Sequence, residues 1–270
     1  MSASDRLFAG SIPELYETCL VPLIFAPYAA DLARRIAVRQ AGNLLEIAAG
    51  TGVVTRALAA ATPAELRIVA TDLNPAMLEQ AAASGTPRPV EWRQADALAL
   101  PFPDHAFDAV VCQFGVMFFP DKAAAFAEAR RVLKPGGQFV FNVWDRIETN
   151  AFAETVTQSL AQLFPDDPPR FLARTPHGYH DPATIARDLA GGGFVRAPRV
   201  ETLSARSRAS SAHEAAFAYC QGTPLRNEIE ARAADRLDAA TAHAADAIRR
   251  RFGSAGVDGR IQALVVTVEA

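Results

Sequence analysis

The pattern of hydrophobic and polar residues changes along the chain, and it is most regular over residues 41–146. Residues with helical periodicity separate the short apolar runs of this part, and we predict helices at 53–61, 75–83 and 122–133 and a turn at 134–137. The apolar runs themselves predict five strands, at 44–48, 67–72, 90–94, 107–113 and 138–144. Strands that alternate with helices indicate an α/β fold, in which a mostly parallel sheet has helices on both faces.

The regions before and after this core are mainly helical in pattern. Pro13 suits the first turn of a helix after Ser11, so residues 1–40 are predicted to form helices. Later elements are predicted as helices at 151–164, 181–191 and 225–252 and strands at 200–203 and 261–268. We therefore expect a single domain over 1–270, divided into N-terminal helices (1–40), a cofactor-binding core (41–146) and cap insertions with the last strands (147–270).

Composition narrows the class of protein. Half of the residues are hydrophobic, and the net charge is −3 without a basic field, which argues against a nucleic-acid partner. Cys19, Cys112 and Cys220 lie far apart and form neither a disulfide framework nor a metal motif, as is typical of a cytoplasmic protein. Pro22 and Pro27 interrupt the most apolar N-terminal stretch, and no apolar run approaches the ~20 residues of a membrane span. We expect a cytoplasmic protein with no membrane partner.

A glycine loop and two later acids form the most informative pattern. Gly50 and Gly52 follow the first predicted strand, where glycine lets a backbone turn tightly and lets a ligand approach it. Asp72 ends the second strand, where a carboxylate can accept hydrogen bonds from both ribose hydroxyls. Asp96 and Ala97 follow the third strand, where a carboxylate suits an adenine amine. Because ligands of such sheets bind at the carboxyl ends of the strands, the pattern predicts an adenosine site.

Two adenosine-containing ligands fit this pattern, NAD and S-adenosylmethionine. The dinucleotide fingerprint requires a third glycine where the chain has Thr55. Glu46, just before the loop, is poorly placed beside a pyrophosphate, because both are negative, whereas it suits a ligand with an ammonium and a sulfonium. Charge therefore favours S-adenosylmethionine. An NAD(P)-dependent oxidoreductase and a non-catalytic adenosyl-binding protein of the same fold stay open as alternatives.

Several motifs between residues 44 and 144 occur in the order found in one family. They are the segments 44–52, 70–78, 94–97, 100–102, 107–108 and 131–137. In these segments the chain resembles class I S-adenosylmethionine-dependent methyltransferases, of the type found in ubiquinone and menaquinone biosynthesis. The resemblance implies a Rossmann-like, mostly parallel seven-stranded sheet whose last strand is antiparallel and lies at the sheet edge. It also implies that S-adenosylmethionine is the methyl donor.

The same resemblance implies roles for matching positions. Gly50, Gly52 and the backbone at Ala48 would flank the methionyl part of the donor, while Asp72 holds the ribose. The full set of implied donor contacts is Tyr16, Glu46, Ala48, Gly50, Gly52, Thr55, Asp72, Leu73, Met77, Asp96, Ala97, Gln113 and Phe114. Of these, Leu73, Met77, Asp96 and Ala97 would contact the adenine, and Gln113 and Phe114 the methionine end. The family usually has glycine at the position of Ala48, so this residue is a departure.

The motifs leave the methyl acceptor open. Methyl transfer needs aligned reactants and exclusion of water more than a dedicated base, so the catalytic residue is unknown. The segment 113–116 lacks the Asn/Asp-Pro-Pro-Tyr motif of amino-methylating DNA enzymes, and a small molecule methylated at O, N or C is expected. His177, Tyr179 and His180 are candidate acceptor contacts. We expect the helices after residue 147 and the N-terminal helices to cap an apolar acceptor pocket, in a monomer or homodimer.

Overall fold

The structure is a computed structural model that describes residues 10–37 and 41–270. The chain clusters into two compact units. The helical unit contains 10–25, 144–178 and 204–263, and the sheet unit contains the described residues of 26–143, 179–203 and 264–270. No helix in the described part of the chain is long and apolar enough to cross a membrane. The single-domain organisation stays a prediction.

Within the described residues, seven strands form one mixed sheet. In sheet order they are β3 (Glu91–Gln94), β2 (Leu66–Asp72), β1 (Gly42–Ile47), β4 (Phe107–Gln113), β5 (Leu133–Trp144), β7 (Val257–Glu269) and β6 (Arg199–Ala209). The strands from β3 to β5 pair in parallel, and the last strands are antiparallel. Every strand expected from the sequence is present, and the Rossmann-like sheet is confirmed.

Helices cover both faces of the sheet in the sheet unit. On one face, α2 (Ala26–Ile36) and α3 (Val53–Ala61) pack on apolar side chains of the strands, among them Leu44, Val111 and Val140. On the other face, α5 (Lys122–Val132) packs against α8 (Pro182–Gly191). Phe139 and Phe141 pack there against Phe126 and each other, with ring centroids 4.8–5.8 Å apart. The alternation of Phe139, Val140 and Phe141 along β5 thus supplies both cores. A further helix, α4 (Pro75–Ser84), contacts β2 and β3.

The turn expected at 134–137 is wrong. Leu133 already pairs with Phe107, and the next paired residues are Gln138 and Ala109, so four residues of β5 stand opposite Asp108 as a bulge. The ammonium of Lys134 contacts both carboxylate oxygens of Asp108, at 2.9 and 2.8 Å. The chain therefore continues as a strand through a segment whose Pro-Gly-Gly sequence is typical of a turn.

The position expected for the final strand is also wrong. β7 lies between β5 and β6, and β6 is the edge strand. All side chains from Ile261 to Val266 are buried, as in an inner strand, whereas β6 exposes charged residues such as Arg206 and Arg208. The apolar pattern identified a buried strand but did not reveal its neighbours.

The helical unit is built from short and medium helices. They are α1 (Ile12–Leu15), a π-helix (Tyr16–Phe25), α6 (Ala151–Leu163), α7 (Phe171–Arg174), α9 (Ala212–Gln221), α10 (Leu225–Arg232) and α11 (Leu237–Phe252). Pro22 lies inside the π-helix, where its missing N–H suits a widened turn. In this unit α11 packs on α9 and α6, and α9 packs on the π-helix. Helices expected in 1–40 are present where the chain is described, and residues 1–9 and 38–40 lie outside it.

The single long helix expected at 225–252 is wrong. The chain leaves the helix at Ala233, whose backbone is extended, and α11 starts only at Leu237. Arg232, the last residue of α10, is held by the Asp167 carbonyl and carboxylate, at 2.6 and 3.0 Å. No glycine or proline marks the break, so the periodic sequence concealed it. The apolar stripe is therefore divided between two helices, and α11 is about 24 Å long rather than about 40 Å.

Candidate functional site

The loop between β1 and α3 is a tight turn at the carboxyl end of the sheet. Gly50 and Gly52 have φ angles of 57° and 84°, and the Ala49 N–H donates to the Thr71 carbonyl of β2, at 2.8 Å. A Cβ at Gly52 would lie 2.9 Å from the Trp92 ring, so both the backbone angle and the space require glycine. The predicted glycine loop is present, and β2 fixes its backbone.

Asp72 connects this loop with the end of β2. Its carboxylate accepts the Gly50 N–H through one oxygen and the Asn74 N–H through the other, both at 2.8 Å. Burial raises the pKa of Asp72, while these backbone donors oppose the rise. Each carboxylate oxygen has a second lone pair that can accept a hydroxyl hydrogen. The arrangement suits a ribose diol, the role expected for Asp72.

Glu46 and Thr55 form a buried pair beneath the loop. The Thr55 hydroxyl donates to the Glu46 carboxylate at 2.6 Å, and both side chains are fully enclosed. Burial raises the pKa of Glu46 to about 8, partly opposed by the Thr55 hydrogen bond and reinforced by the charge of Asp72. With this pKa, the Glu46 carboxyl is mainly protonated at neutral pH. Most of the negative charge expected for Glu46 from the sequence is therefore absent.

The residues expected around the adenine follow β2 and β3. Leu73 is 41% exposed, unusual for a large apolar side chain, while Met77 is buried with its Cε 3.6 Å from the Cβ position of Gly50. The Ala95 N–H donates to the Asp72 carbonyl at 3.0 Å, which ties the next turn to β2. In that turn the Asp96 carboxylate accepts the Leu98 N–H at 2.9 Å. An exposed apolar surface and an exposed carboxylate thus lie beside Asp72, as an adenine ring requires.

Comparison with known proteins agrees with this geometry. The family model "Methyltransferase domain" matches residues 45–141. A ubiquinone/menaquinone biosynthesis C-methyltransferase from Marinomonas is 32% identical over 171 residues, which cover 58% of this chain and 68% of the relative. The chain belongs to the class I S-adenosylmethionine-dependent methyltransferases. It therefore uses S-adenosylmethionine to methylate a small molecule, which decides against the nicotinamide-dependent alternative.

Solved structures of low sequence identity share the fold of this methyltransferase. A putative methyltransferase from Bacillus halodurans is 21% identical with a TM-score of 0.55, over 89% of this chain and 97% of that chain. A phosphoethanolamine N-methyltransferase from Haemonchus contortus, solved with S-adenosylhomocysteine, is 17% identical with a TM-score of 0.57, over 95% and 56%. Among the described residues no group of histidine, cysteine and carboxylate side chains could hold a metal ion.

Ala48, the departure from the family motif, is accommodated by Gly115. Ala48 has a φ angle of 55°, a left-handed conformation that favours glycine. A Cβ at Gly115 would lie 2.6 Å from the Ala48 Cβ and 2.6 Å from the Cys112 sulfur. The Ala48 methyl group thus faces Gly115 in the loop after β4, and glycine is the residue type that leaves room for it. The sequence showed the departure but not this compensation.

Asn142 of β5 was missed by the sequence argument. It is fully buried, and its side-chain and backbone oxygens both accept the Phe114 N–H, at 3.0 and 3.1 Å. Phe114 has a φ angle of 52° and packs edge-on against Tyr28. Gln113 precedes it at the end of β4, 9% exposed. Asn142 therefore holds Phe114, one of the two residues expected at the methionine end, in a conformation that is unusual for phenylalanine.

Three of the remaining candidates belong to different surroundings. Tyr16 lies in the helical unit and stacks on Phe25 at 4.9 Å. His177, of the same unit, is buried, and its Nδ1 is 2.8 Å from the Asp145 carbonyl. Tyr179, of the sheet unit, donates its hydroxyl to Asp188 at 3.0 Å. The loop that carries the acceptor candidates His177 and Tyr179 is thus divided between the units. The roles of all three residues toward ligands stay predictions.

Proposed function

We propose that this methyltransferase holds the donor at the 46–52 loop, Asp72 and the Asp96 turn. The observation that carries the proposal is the buried Asp72 carboxylate, which the Gly50 and Asn74 N–H groups hold in one orientation. A fixed carboxylate recognises a ribose diol without a cost of ordering at the moment of binding. Membership of the family supplies the identity of the donor, and the contacts described above support the proposed site residues.

We further propose that the acceptor is a hydroxylated aromatic ring of the quinol type, methylated at carbon. The Marinomonas relative is named a C-methyltransferase of ubiquinone and menaquinone biosynthesis, and this name supports the class of acceptor. In such a reaction the ring hydroxyl loses its proton, a ring carbon bonds to the methyl carbon, and the carbon–sulfur bond of the donor breaks. Loss of the ring proton at that carbon then restores aromaticity. S-adenosylhomocysteine is the other product.

A row of aromatic side chains lies within the helical unit. Tyr16, Phe25, Trp144 and His177 form a row in which successive ring centroids are 4.9, 6.0 and 5.9 Å apart. Phe25, Trp144 and His177 are buried, and Tyr16 is partly exposed. The Asp145 carbonyl can only accept, so the His177 Nδ1 carries the proton in this hydrogen bond and Nε2 is the basic nitrogen.

A panel of acceptors tests this function. The protein is incubated with S-adenosylmethionine and a reduced demethylated quinone, an aromatic amine or a simple phenol, and S-adenosylhomocysteine and the methylated product are measured by mass spectrometry. We expect turnover of the quinol with the methyl group on carbon. Methylation of the amine or of a phenol oxygen alone would contradict the acceptor class. Cytoplasmic location and oligomeric state stay predictions from composition.

A further inference from the structure

A bidentate ion pair fastens the loop after the Asp96 turn to helix α5. The Arg131 guanidinium binds both carboxylate oxygens of Glu128, at 2.7 and 2.8 Å. Glu128 also accepts the Leu100 N–H at 2.8 Å, and Arg131 donates to the carbonyls of Leu100 and Phe102, at 3.0 and 2.8 Å. A further Arg131 bond reaches Asp104 at 2.8 Å. Two side chains of one helix thus bind the backbone at both ends of the segment 100–102.

This segment starts directly after the turn that carries Asp96. The turn is closed by two bonds to Asp96, in which its carboxylate accepts the Leu98 N–H at 2.9 Å and its carbonyl accepts the Ala99 N–H at 3.0 Å. The other end of the turn is fixed to β2 by the Ala95 N–H. Among the described hydrogen bonds, those to Leu100 are the first after Asp96 that join this loop to another element. They fix the turn at its second end.

We propose that Glu128 and Arg131 are positioning residues for adenine recognition, since they hold the Asp96 carboxylate where it meets the adenine amine. The inference rests on the proposed donor site. It adds that Glu128 and Arg131 set the preference of this site for a ligand with the adenine amine. The ionised pair is stable over a wide pH range, because Arg131 holds the pKa of Glu128 below its usual range and Glu128 raises that of Arg131.

The guanidinium geometry is essential to this role. Arg131 binds one carboxylate side-on and three further oxygens, which uses the planar fork of five N–H donors. A lysine at this position keeps the charge but has a single nitrogen, so it cannot reach the Glu128 carboxylate and both backbone carbonyls together. Arg131→Lys therefore separates the effect of positioning from that of charge.

The test compares two ligands and uses calorimetry with the full chain. One ligand is S-adenosylhomocysteine, and the other is its analogue with hydrogen in place of the adenine amine. In wild type the first should bind more tightly. Arg131→Gln and Glu128→Gln should weaken S-adenosylhomocysteine by about tenfold, the loss of one charge-assisted hydrogen bond, and the analogue by about twofold. Arg131→Lys should give an intermediate loss. Arg130→Gln, a neighbouring exposed arginine, should leave both affinities unchanged.

Equal losses for both ligands, or none, in variants that keep the wild-type circular dichroism would overturn the inference. Asp96→Ala separates it from the donor site itself. If Asp96→Ala keeps the preference for the amine, the adenine assignment of Asp96 is wrong and the inference falls with it. If Asp96→Ala removes the preference while Arg131→Lys and Glu128→Gln retain it, only the positioning role is wrong. Arg131→Lys preserves charge and helix propensity, so the test does not depend on the folding of Arg131→Gln.

Discussion

Replacing the buried acid Glu46 by glutamine should change how stability depends on pH. In the folded protein the pKa of Glu46 is about 8, against an ordinary value of 4.5, because burial disfavours its charged form. Between these values the folded state holds a proton that the unfolded state has released. The stability associated with this proton is fully present below pH 4.5 and is lost as the pH rises through 8. Glu46→Gln keeps the size of the side chain and an oxygen for the Thr55 hydroxyl but removes the titration.

The size of the effect follows from the two pKa values. One bound proton gives a slope of about 1.4 kcal/mol per pH unit, so the unfolding free energy should fall by about 5 kcal/mol between pH 4.5 and 8. The Asp72 charge contributes to the raised pKa, and Arg56 and the Thr55 hydroxyl oppose it. Asp72 itself has a raised pKa and adds a decline of the same sign, which stays in the variant. The difference between wild type and Glu46→Gln therefore isolates Glu46.

Urea unfolding at pH 5, 6, 7 and 8 measures this difference. Trp92 lies in the sheet unit and Trp144 in the helical unit, so a Trp144→Phe background lets Trp92 fluorescence report the unit that contains Glu46. Wild type and Glu46→Gln should be closest at pH 5 and separate steadily toward pH 8, where the variant is more stable. Glu128→Gln is the matched control, because the lowered pKa of Glu128 confines its titration to acid pH. Parallel curves for wild type and Glu46→Gln would refute the reasoning.

Three further substitutions test the site. Asp72→Ala should weaken S-adenosylhomocysteine by on the order of 1.5–3 kcal/mol, since two hydroxyls lose a charged acceptor; unchanged affinity in calorimetry would remove the ribose assignment. Gly52→Ala should lower the unfolding free energy by about 1–3 kcal/mol, because it combines a φ angle of 84° with a contact to Trp92, and thermal melting measures it. Gly115→Ala should destabilise through its 2.6 Å approach to Ala48, and the double variant with Ala48→Gly should recover part of the loss. Additive effects in that cycle would show that the two residues do not share space.

Local patterns in the sequence were enough to predict the elements that position the donor site. The helix after the glycine loop, Val53–Ala61, has the bounds expected from its periodicity, and Asp72 ends β2 as expected. These features depend on residues close in sequence: alternating or periodic apolar positions, and glycines where the backbone must turn. The carboxyl ends of parallel strands then bring the glycine loop and Asp72 together without further information.

Contacts between distant residues could not be predicted in this way. The bulge at 134–137 depends on Asp108, and the break after Arg232 depends on Asp167, 65 residues earlier. In both cases a tertiary contact decides between two conformations that the local sequence allows. The Arg131 bonds to the loop after Asp96 span 27–31 residues and are of the same kind. The motif at 131–137 contains Arg131, but the motif alone does not reveal the partners that Arg131 binds in the loop.

The hardest features to predict are concentrated where the donor is expected to meet the acceptor. Ala48 follows the first strand and Phe114 follows the fourth, and both are non-glycine residues in a left-handed conformation. Such a conformation costs of order 1–3 kcal/mol and persists only where surrounding contacts enforce it. Here those contacts are identifiable: the Asn142 oxygens bind the Phe114 N–H, and Gly115 leaves room for the Ala48 methyl. Because a neighbouring strand fixes Phe114 and Gly115 makes room for Ala48, the fold itself maintains the shape of the proposed methionine end. An enzyme that accelerates methyl transfer mainly by aligning two reactants requires a rigid surface of this kind.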